Sequence, residues 1–455
     1  MSLVTLNPAT GRRLRSYREH TARHVDRTLD AAVRAFEEWR QLPFARRARH
    51  LRAVARELRR GANDHAALIT AEMGKPITQA RAEVEKCAVN CDFYAAQAAV
   101  FLADERPAGA PAQRYVTYQP LGVVLAIEPW NFPFWQVFRA TAPALMAGNT
   151  VVLKHAANVT GCALEIARIF ARAGIPRGVF QTLLLSGQRT GDLVADPRIA
   201  MVTLTGSTAV GRQVASIAGQ AMKPGVFELG GSDAYVILAD ADLEQAAELC
   251  AESRLYNNGQ SCIAAKRLIV VESVRARFES LLVARLQARR TGDPRDADTQ
   301  LGPLARADLR AALHQQVRRS LRAGAQLLCG GTLPRTAGCY YPPTALTNVR
   351  PGMAAFDEEL FGPVAAIIPA RDETEAIRLA NATPFGLGAG VFTRDRRRGE
   401  RIAREQLVAG NAFVNEFVRS HPTLPFGGVK LSGHGRELGA RGIREFTQAK
   451  TISVS

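Results

Sequence analysis

From residue 122 onward the chain alternates short apolar runs, bounded by Gly, Pro and Asn, with segments of helical period. That alternation is the strongest constraint on its fold. The runs 122–127, 150–154, 179–185, 200–205 and 226–229 read as strands, and helical segments such as 159–173 lie between them. Strands alternating with helices predict a parallel sheet covered on both faces, because each parallel connection must cross over the sheet. A second series starts after Gly231, with strands at 234–238 and 267–271, helices at 243–256 and 274–290, and further pairs through Phe413. Two such series predict two α/β units with a cleft between them, where loops at strand ends bind ligands.

The part before residue 104 is helical in period: one run from Asp26 through Trp39, then 44–60, 63–73 and a long one from Ile77, with Gly61 and Gly74 as helix stops. Two alternating segments, Arg114-Tyr-Val-Thr-Tyr118 and Lys450-Thr-Ile-Ser-Val454, stand outside both series. Their free edges predict pairing with a second subunit. At about 100–200 residues per domain, the 455 residues imply several domains with ample cores and exclude a small stapled scaffold or a disordered chain. Apolar stretches break long before the ~20 residues a bilayer span needs, so no membrane partner is expected. The N-terminus has no apolar signal region, and cytoplasm is the expected compartment.

The net charge of +17 raises nucleic acid as a partner, yet the basic residues are dispersed. The densest stretch, 34–60, carries nine Arg around Leu51, Val54, Ala55 and Leu58 at helical spacing, the wet face of an amphipathic helix. No nucleic acid partner is therefore expected. Seven cysteines without a repeating spacing argue against a disulfide framework, and no His pair accompanies them to bind zinc.

Four segments carry chemistry. Asn258-Gly-Gln-Ser-Cys262 offers a thiol in a small-residue turn; read alone, it is a nucleophile or a buried structural Cys. Glu228, before Leu-Gly-Gly at a strand end, suits a general base or an ion-paired surface residue. Asn131, in Glu128-Pro-Trp-Asn-Phe-Pro133, is an oxyanion donor or an Asx-turn residue. Thr205-Gly-Ser-Thr-Ala-Val-Gly211 carries a strand into a helix through a Gly turn, a geometry that binds pyrophosphate, although it is not G-x-G-x-x-G.

In this order, and with Lys154, Glu359-Leu-Phe361-Gly-Pro, Asn381-Ala-Thr-Pro-Phe-Gly-Leu387 and Pro425-Phe-Gly-Gly-Val-Lys430-Leu-Ser-Gly, the segments resemble the NAD(P)-dependent aldehyde dehydrogenase superfamily over essentially the whole chain. The resemblance implies an α/β fold of two Rossmann-like parallel-sheet domains with a small β oligomerisation element: 1–101 with 121–230 for the cofactor, 231–435 for catalysis, 102–120 with 436–455 for homodimer or homotetramer formation. It implies that Cys262 attacks an aldehyde, that Asn131 and the Cys262 N–H hold the oxyanion, and that Glu228 activates water to release a carboxylic acid. Cofactor residues by the same likeness are Trp130, Lys154, Gly206, Ser207, Gly211, Glu359 and Phe361. Where many NAD-preferring members carry Glu three residues after the lysine, this chain has Ala157, which permits NADP as well as NAD; His155 is either a partner for the 2′-phosphate or a spacer.

The segments around Lys154 and Cys262 are most similar to the succinate-semialdehyde dehydrogenase branch, whose substrate ends in a carboxylate. Arg139 matches one carboxylate-binding arginine of that branch. The second is Tyr256 here, and Arg419 or Ser420 would substitute for it. The competing expectations are a broad-range aldehyde dehydrogenase, for aliphatic, aromatic or other carboxylated aldehydes, and an inactive basic member serving as a binding or structural protein.

Overall fold

A computed structural model describes residues 2–111 and 113–454. Its first sheet is built on Val123–Glu128, buried along its whole length and flanked in parallel by Thr150–His155 and Ile199–Thr205. Such continuously apolar strands suit a sheet covered on both faces. Phe180–Thr182 and Gly225–Glu228 extend it, and Gly433–His434 pairs antiparallel with Glu228 and Phe227 at the far edge. The chain has thus rejoined the first sheet just before the expected boundary at 435.

The second sheet has seven strands in the order Gln326–Cys329, Thr344–Thr347, Val364–Ala370, Arg267–Val271, Ala234–Ile237, Gly388–Phe392 and Asn411–Val414. All its pairings are parallel except that of Gln326–Cys329 with Thr344–Thr347. The α/β architecture with two parallel sheets is as the sequence predicts. The helices Ala22–Trp39, Phe44–Arg60, Ala62–Met73 and Ile77–Phe101 fall close to the expected bounds and pack against the first unit.

Three local readings change. The strand expected at 179–185 stops at Thr182, because the backbone of Leu184 turns to accept from His20 N at 2.9 Å instead of continuing the ladder. Gly61 is not left-handed (φ −97°); it is small because a Cβ there would lie 2.4 Å from His65 Nε2, whereas Gly74 (φ +77°) is the left-handed helix stop. An N-terminal hairpin, Ser2–Leu6 with Arg13–Arg18, was not expected.

Arg114–Pro120 and Thr447–Ser453 pair with each other, Thr447 opposite Pro120 and Ser453 opposite Arg114, in a separate two-stranded ribbon. Arginines on the 44–60 helix are exposed except Arg47, which is buried over the Phe44 ring at 4.6 Å. Among the described residues, no helix is long and apolar enough to cross a membrane.

Candidate active site

The helix Leu243–Leu255 ends in a turn that presents Cys262. Asn257, Asn258 and Gly259 are all left-handed, with φ of 54°, 58° and 74°. Asn tolerates that region and Gly259 is required there, since a Cβ would lie 2.3 Å from the Gly362 carbonyl carbon. Side chains hold the strained turn. Asn258 donates to Gly74 O (2.8 Å) and Pro303 O (2.9 Å) and accepts from Gly302 N (2.7 Å). Asn257 donates to the carbonyls of Asn131 (2.7 Å) and Gln260 (3.0 Å), tying the turn to the first unit. Lys266 Nζ donates to the carbonyls of Ser261 (2.8 Å) and Cys262 (2.6 Å).

All seven cysteines are unpaired, and Cys262 is half-buried where the other six are buried. Burial pushes its thiol up to about 12, against the pull of Lys266 and Arg139. The resting thiol is therefore protonated at neutral pH, and attack requires a base or a change of surroundings when ligands bind.

Asn131 follows the central strand of the first sheet. Its Nδ2 donates to Gln260 O at 3.1 Å, which leaves one amide N–H for an oxyanion beside Cys262. Glu228 ends its strand fully buried, and neither carboxylate oxygen has a hydrogen-bond partner. Its space exists because residue 427 is Gly; a Cβ there would lie 2.6 Å from Glu228 Oε1. Burial and the neighbouring Glu437 raise the Glu228 carboxyl well above its ordinary range, with Arg139 and Arg436 opposing. A carboxyl so tuned can take a proton near neutral pH.

Two cavities meet at Cys262. One, of about 240 Å³, is lined by Trp130, Asn131, Gly206, Ser207, Gly230, Glu359 and Phe361. Its floor is the N-terminus of the helix Thr208–Gln220, capped by Ser207 accepting from Val210 N at 3.4 Å. The wall at Gly230 leaves no room for a larger side chain, since a Cβ there would lie 2.5 Å from Glu359 Oε2; behind the lining, a Cβ on Gly211 would lie 2.3 Å from Leu229 Cδ2. A helix N-terminus beside the glycines at 206 and 230 fits a dinucleotide pyrophosphate.

Glu359 accepts from Gly231 N at 3.1 Å and faces Lys266 Nζ at 3.4 Å, so this groove and the Cys262 turn share one lysine. Trp130 and Phe361 stand edge to face, 5.7 Å apart. Lys154, the penultimate residue of the neighbouring strand, lies outside this lining, its pKa lowered by burial and supported by Glu19. Gly211 also lies outside the lining and serves through its packing on Leu229. His155 is unavailable for a phosphate: Nε2 meets Pro133 O at 2.8 Å, Ala156 N reaches Nδ1 at 2.9 Å, and burial takes its pKa down to about 4. It is a buried spacer.

The other cavity, also about 240 Å³, brings Arg139, Tyr256, Arg419 and Ser420 to one space with Cys262, among Phe132, Trp135, Phe417 and Phe426. Tyr256 stacks on Phe132 at 6.1 Å, and Arg419 is exposed at the mouth, 3.9 Å over the Phe417 ring. Arg139 is buried and largely committed. Its Nε is ion-paired with Glu437, and one terminal nitrogen donates to Thr205 Oγ1 at 3.0 Å. The other terminal nitrogen has no hydrogen-bond partner among the described residues.

Sequence reasoning missed Lys86, Lys266 and Glu437. A signal existed for the lysines, because only seven of 59 basic residues are Lys. Lys75 and Lys266 are buried, Lys86 and Lys154 half-buried, and Lys86 lines one of the two cavities.

Against known proteins, the model of the aldehyde dehydrogenase family matches residues 2–452. A protein named probable succinate-semialdehyde dehydrogenase (NADP(+)), from Synechocystis sp., is 49% identical over 455 residues, covering 100% of both chains. Succinate-semialdehyde dehydrogenase (NADP(+)) 1 of Mycobacterium tuberculosis is 47% identical over 459 residues, again covering 100% of both. The crystal structure of succinic semialdehyde dehydrogenase from Streptococcus pyogenes in complex with NADP+ superposes with a TM-score of 0.97 at 36% identity, covering 99% of each chain.

Proposed function

The chain belongs to the aldehyde dehydrogenase family, and on that premise we propose that it oxidises succinate semialdehyde to succinate, with NADP and also with NAD, through a thioester on Cys262. The observation that carries this reading is the cavity at Cys262, whose walls are aromatic but which also holds Arg139, Lys86 and Arg419. An apolar cavity with cations suits an aldehyde that ends in a carboxylate.

The Cys262 sulfur adds to the aldehyde carbon as its thiol proton is released through water to solvent, and the oxyanion of the resulting thiohemiacetal accepts from the free N–H of Asn131 and the backbone N–H of Cys262. Bound in the groove, the dinucleotide supplies the hydride acceptor for oxidation of this adduct to a thioester. Glu228 then takes a proton from water, the hydroxyl adds to the acyl carbon, and the C–S bond breaks to give the acid and free Cys262. Retention of Glu228 favours water over a thiol as acyl acceptor. Ala157, opening the turn after Lys154, brings no carboxylate to repel a 2′-phosphate.

This reading takes the working enzyme as a cytoplasmic homo-oligomer, joined through the open edges of the 114–120 and 447–453 ribbon. The test is a panel of kcat/KM values for succinate semialdehyde, glutarate semialdehyde and hexanal, each with NADP and NAD. The proposal expects succinate semialdehyde to lead, with both cofactors used. Comparable values for all three would favour a broad-range enzyme. No turnover, together with a salt-dependent shift of duplex DNA, would favour an inactive basic binding protein.

A further inference from the structure

Three cations line the substrate cavity with the carboxyl groups of Glu83 and, from the helix Leu243–Leu255, Glu252, and the cations differ in what they already hold. Arg139 is paired with Glu437, and Arg419 is exposed. Lys86, on the helix Ile77–Phe101, is half-buried and has, among the described residues, no carboxylate within ion-pair distance. Its ammonium lies 4.2 Å over the Trp135 ring and donates to Ser420 Oγ at 2.8 Å.

Glu83, one turn earlier on the same helix, is the natural partner for Lys86 but is fully engaged. Its Oε1 accepts from the amides of Phe134 (2.9 Å) and Trp135 (3.0 Å), and its Oε2 takes Lys75. Lys86 therefore keeps two N–H donors beyond the one on Ser420. A desolvated ammonium without a counter-ion is unfavourable, and a ligand carboxylate relieves it.

From this geometry we infer that Lys86, steadied by Ser420, binds the far carboxylate of the substrate and selects aldehydes that end in an anion. The inference rests on the semialdehyde oxidation proposed above. It also accounts for Tyr256 at the position where the related branch carries a second arginine: the missing charge enters the same cavity from a different helix.

The experiment compares kcat/KM for succinate semialdehyde and for butanal in wild type, Lys86→Met and Lys86→Arg. Loss of one charge-assisted hydrogen bond predicts a fall of about tenfold to a hundredfold with succinate semialdehyde in Lys86→Met. A much smaller change is expected with butanal, and Lys86→Arg should recover most of the difference through KM. Equal losses on both aldehydes would overturn the inference while leaving the proposed substrate standing. A wild type that does not prefer succinate semialdehyde would overturn the substrate reading instead.

A second measurement needs no variant. Burial and Arg139 bring Lys86 down to about 8, with Glu83 and Cys87 opposing and Lys75 reinforcing. The wild-type ratio of kcat/KM for succinate semialdehyde over butanal should fall as pH rises above about 8, since the shared thiol and carboxyl titrations cancel in the ratio. A ratio that stays flat from pH 7 to 10 would refute a role for Lys86.

Discussion

Replacing Arg139 with Met removes the buried guanidinium that faces three buried carboxyl groups, Glu128, Glu228 and Glu437. The pair with Glu437 and the bond to Thr205 both disappear. Breaking a buried pair by removing one partner costs about 3–5 kcal/mol, because the survivor is left charged and dry. Glu437 escapes part of that cost by taking a proton. Its folded pKa already lies above the ordinary 4.5 and rises further without Arg139.

A carboxyl raised on folding contributes stability below its unfolded pKa and loses it as pH rises, so the variant's deficit must grow with pH. At about 1.4 kcal/mol per pH unit for one extra bound proton, the deficit grows by at most about 2.7 kcal/mol between pH 5.5 and 7.5. Urea unfolding followed by tryptophan fluorescence at fixed protein concentration reads this directly. Arg139→Met should lose about 3 kcal/mol at pH 7.5 and less than that at pH 5.5, and adding Glu437→Gln should recover most of the loss. A deficit below about 1 kcal/mol at both pH values, or a double variant no better than the single, would refute the claim that Arg139 is held mainly by Glu437.

Three further outcomes are expected. Glu228→Gln should keep a rapid burst of reduced cofactor of about one equivalent per site while steady turnover falls by about a hundredfold, the usual scale for a lost general base; stopped-flow absorbance checks it, and an unchanged steady rate contradicts the role of Glu228. Iodoacetamide should alkylate a single thiol per chain, absent in Cys262→Ala, with a rate that climbs about tenfold per pH unit between pH 7 and 9, because the thiol sits near 12; peptide mass spectrometry and a pH series of rates decide it, and a flat profile below pH 9 would show an ionised thiol. Ala157→Glu should raise the KM for NADP by about tenfold or more while sparing NAD, the cost of a carboxylate placed near the cofactor's 2′-phosphate; equal shifts for both cofactors would place residue 157 away from that phosphate.

Much of the site was legible in the sequence because it sits where strands end. Asn131, Thr205 and Glu228 lie at or just beyond the carboxyl ends of strands, and short apolar runs followed by Gly, Pro or Asn mark such places in a linear chain. Cys262 was legible for a related reason. A turn that holds Asn257, Asn258 and Gly259 in left-handed conformations restricts its residue types and therefore leaves a local signature.

What the linear chain did not disclose depends on groups brought together from distant segments. His155 sits where a cofactor-facing residue was conceivable, yet the fold seals it between Pro133 and Ala156. Arg139 reads as a substrate ligand, but Glu437, from beyond the whole second unit, claims one edge of its guanidinium. Lys86 reads as one more polar position on a helix, and only the engagement of Glu83 by Lys75 and two backbone amides leaves it without a counter-ion in the cavity.

The sequence by itself determined the two parallel sheets, since periodicity is a local property, and through its likeness to the aldehyde dehydrogenase family it singled out Cys262, Asn131 and Glu228 as candidates for nucleophile, oxyanion donor and water-activating carboxyl. Only the tertiary structure decided which charges are already neutralised and which remain for a ligand, because ion pairing and desolvation are set by distances between residues far apart in the chain.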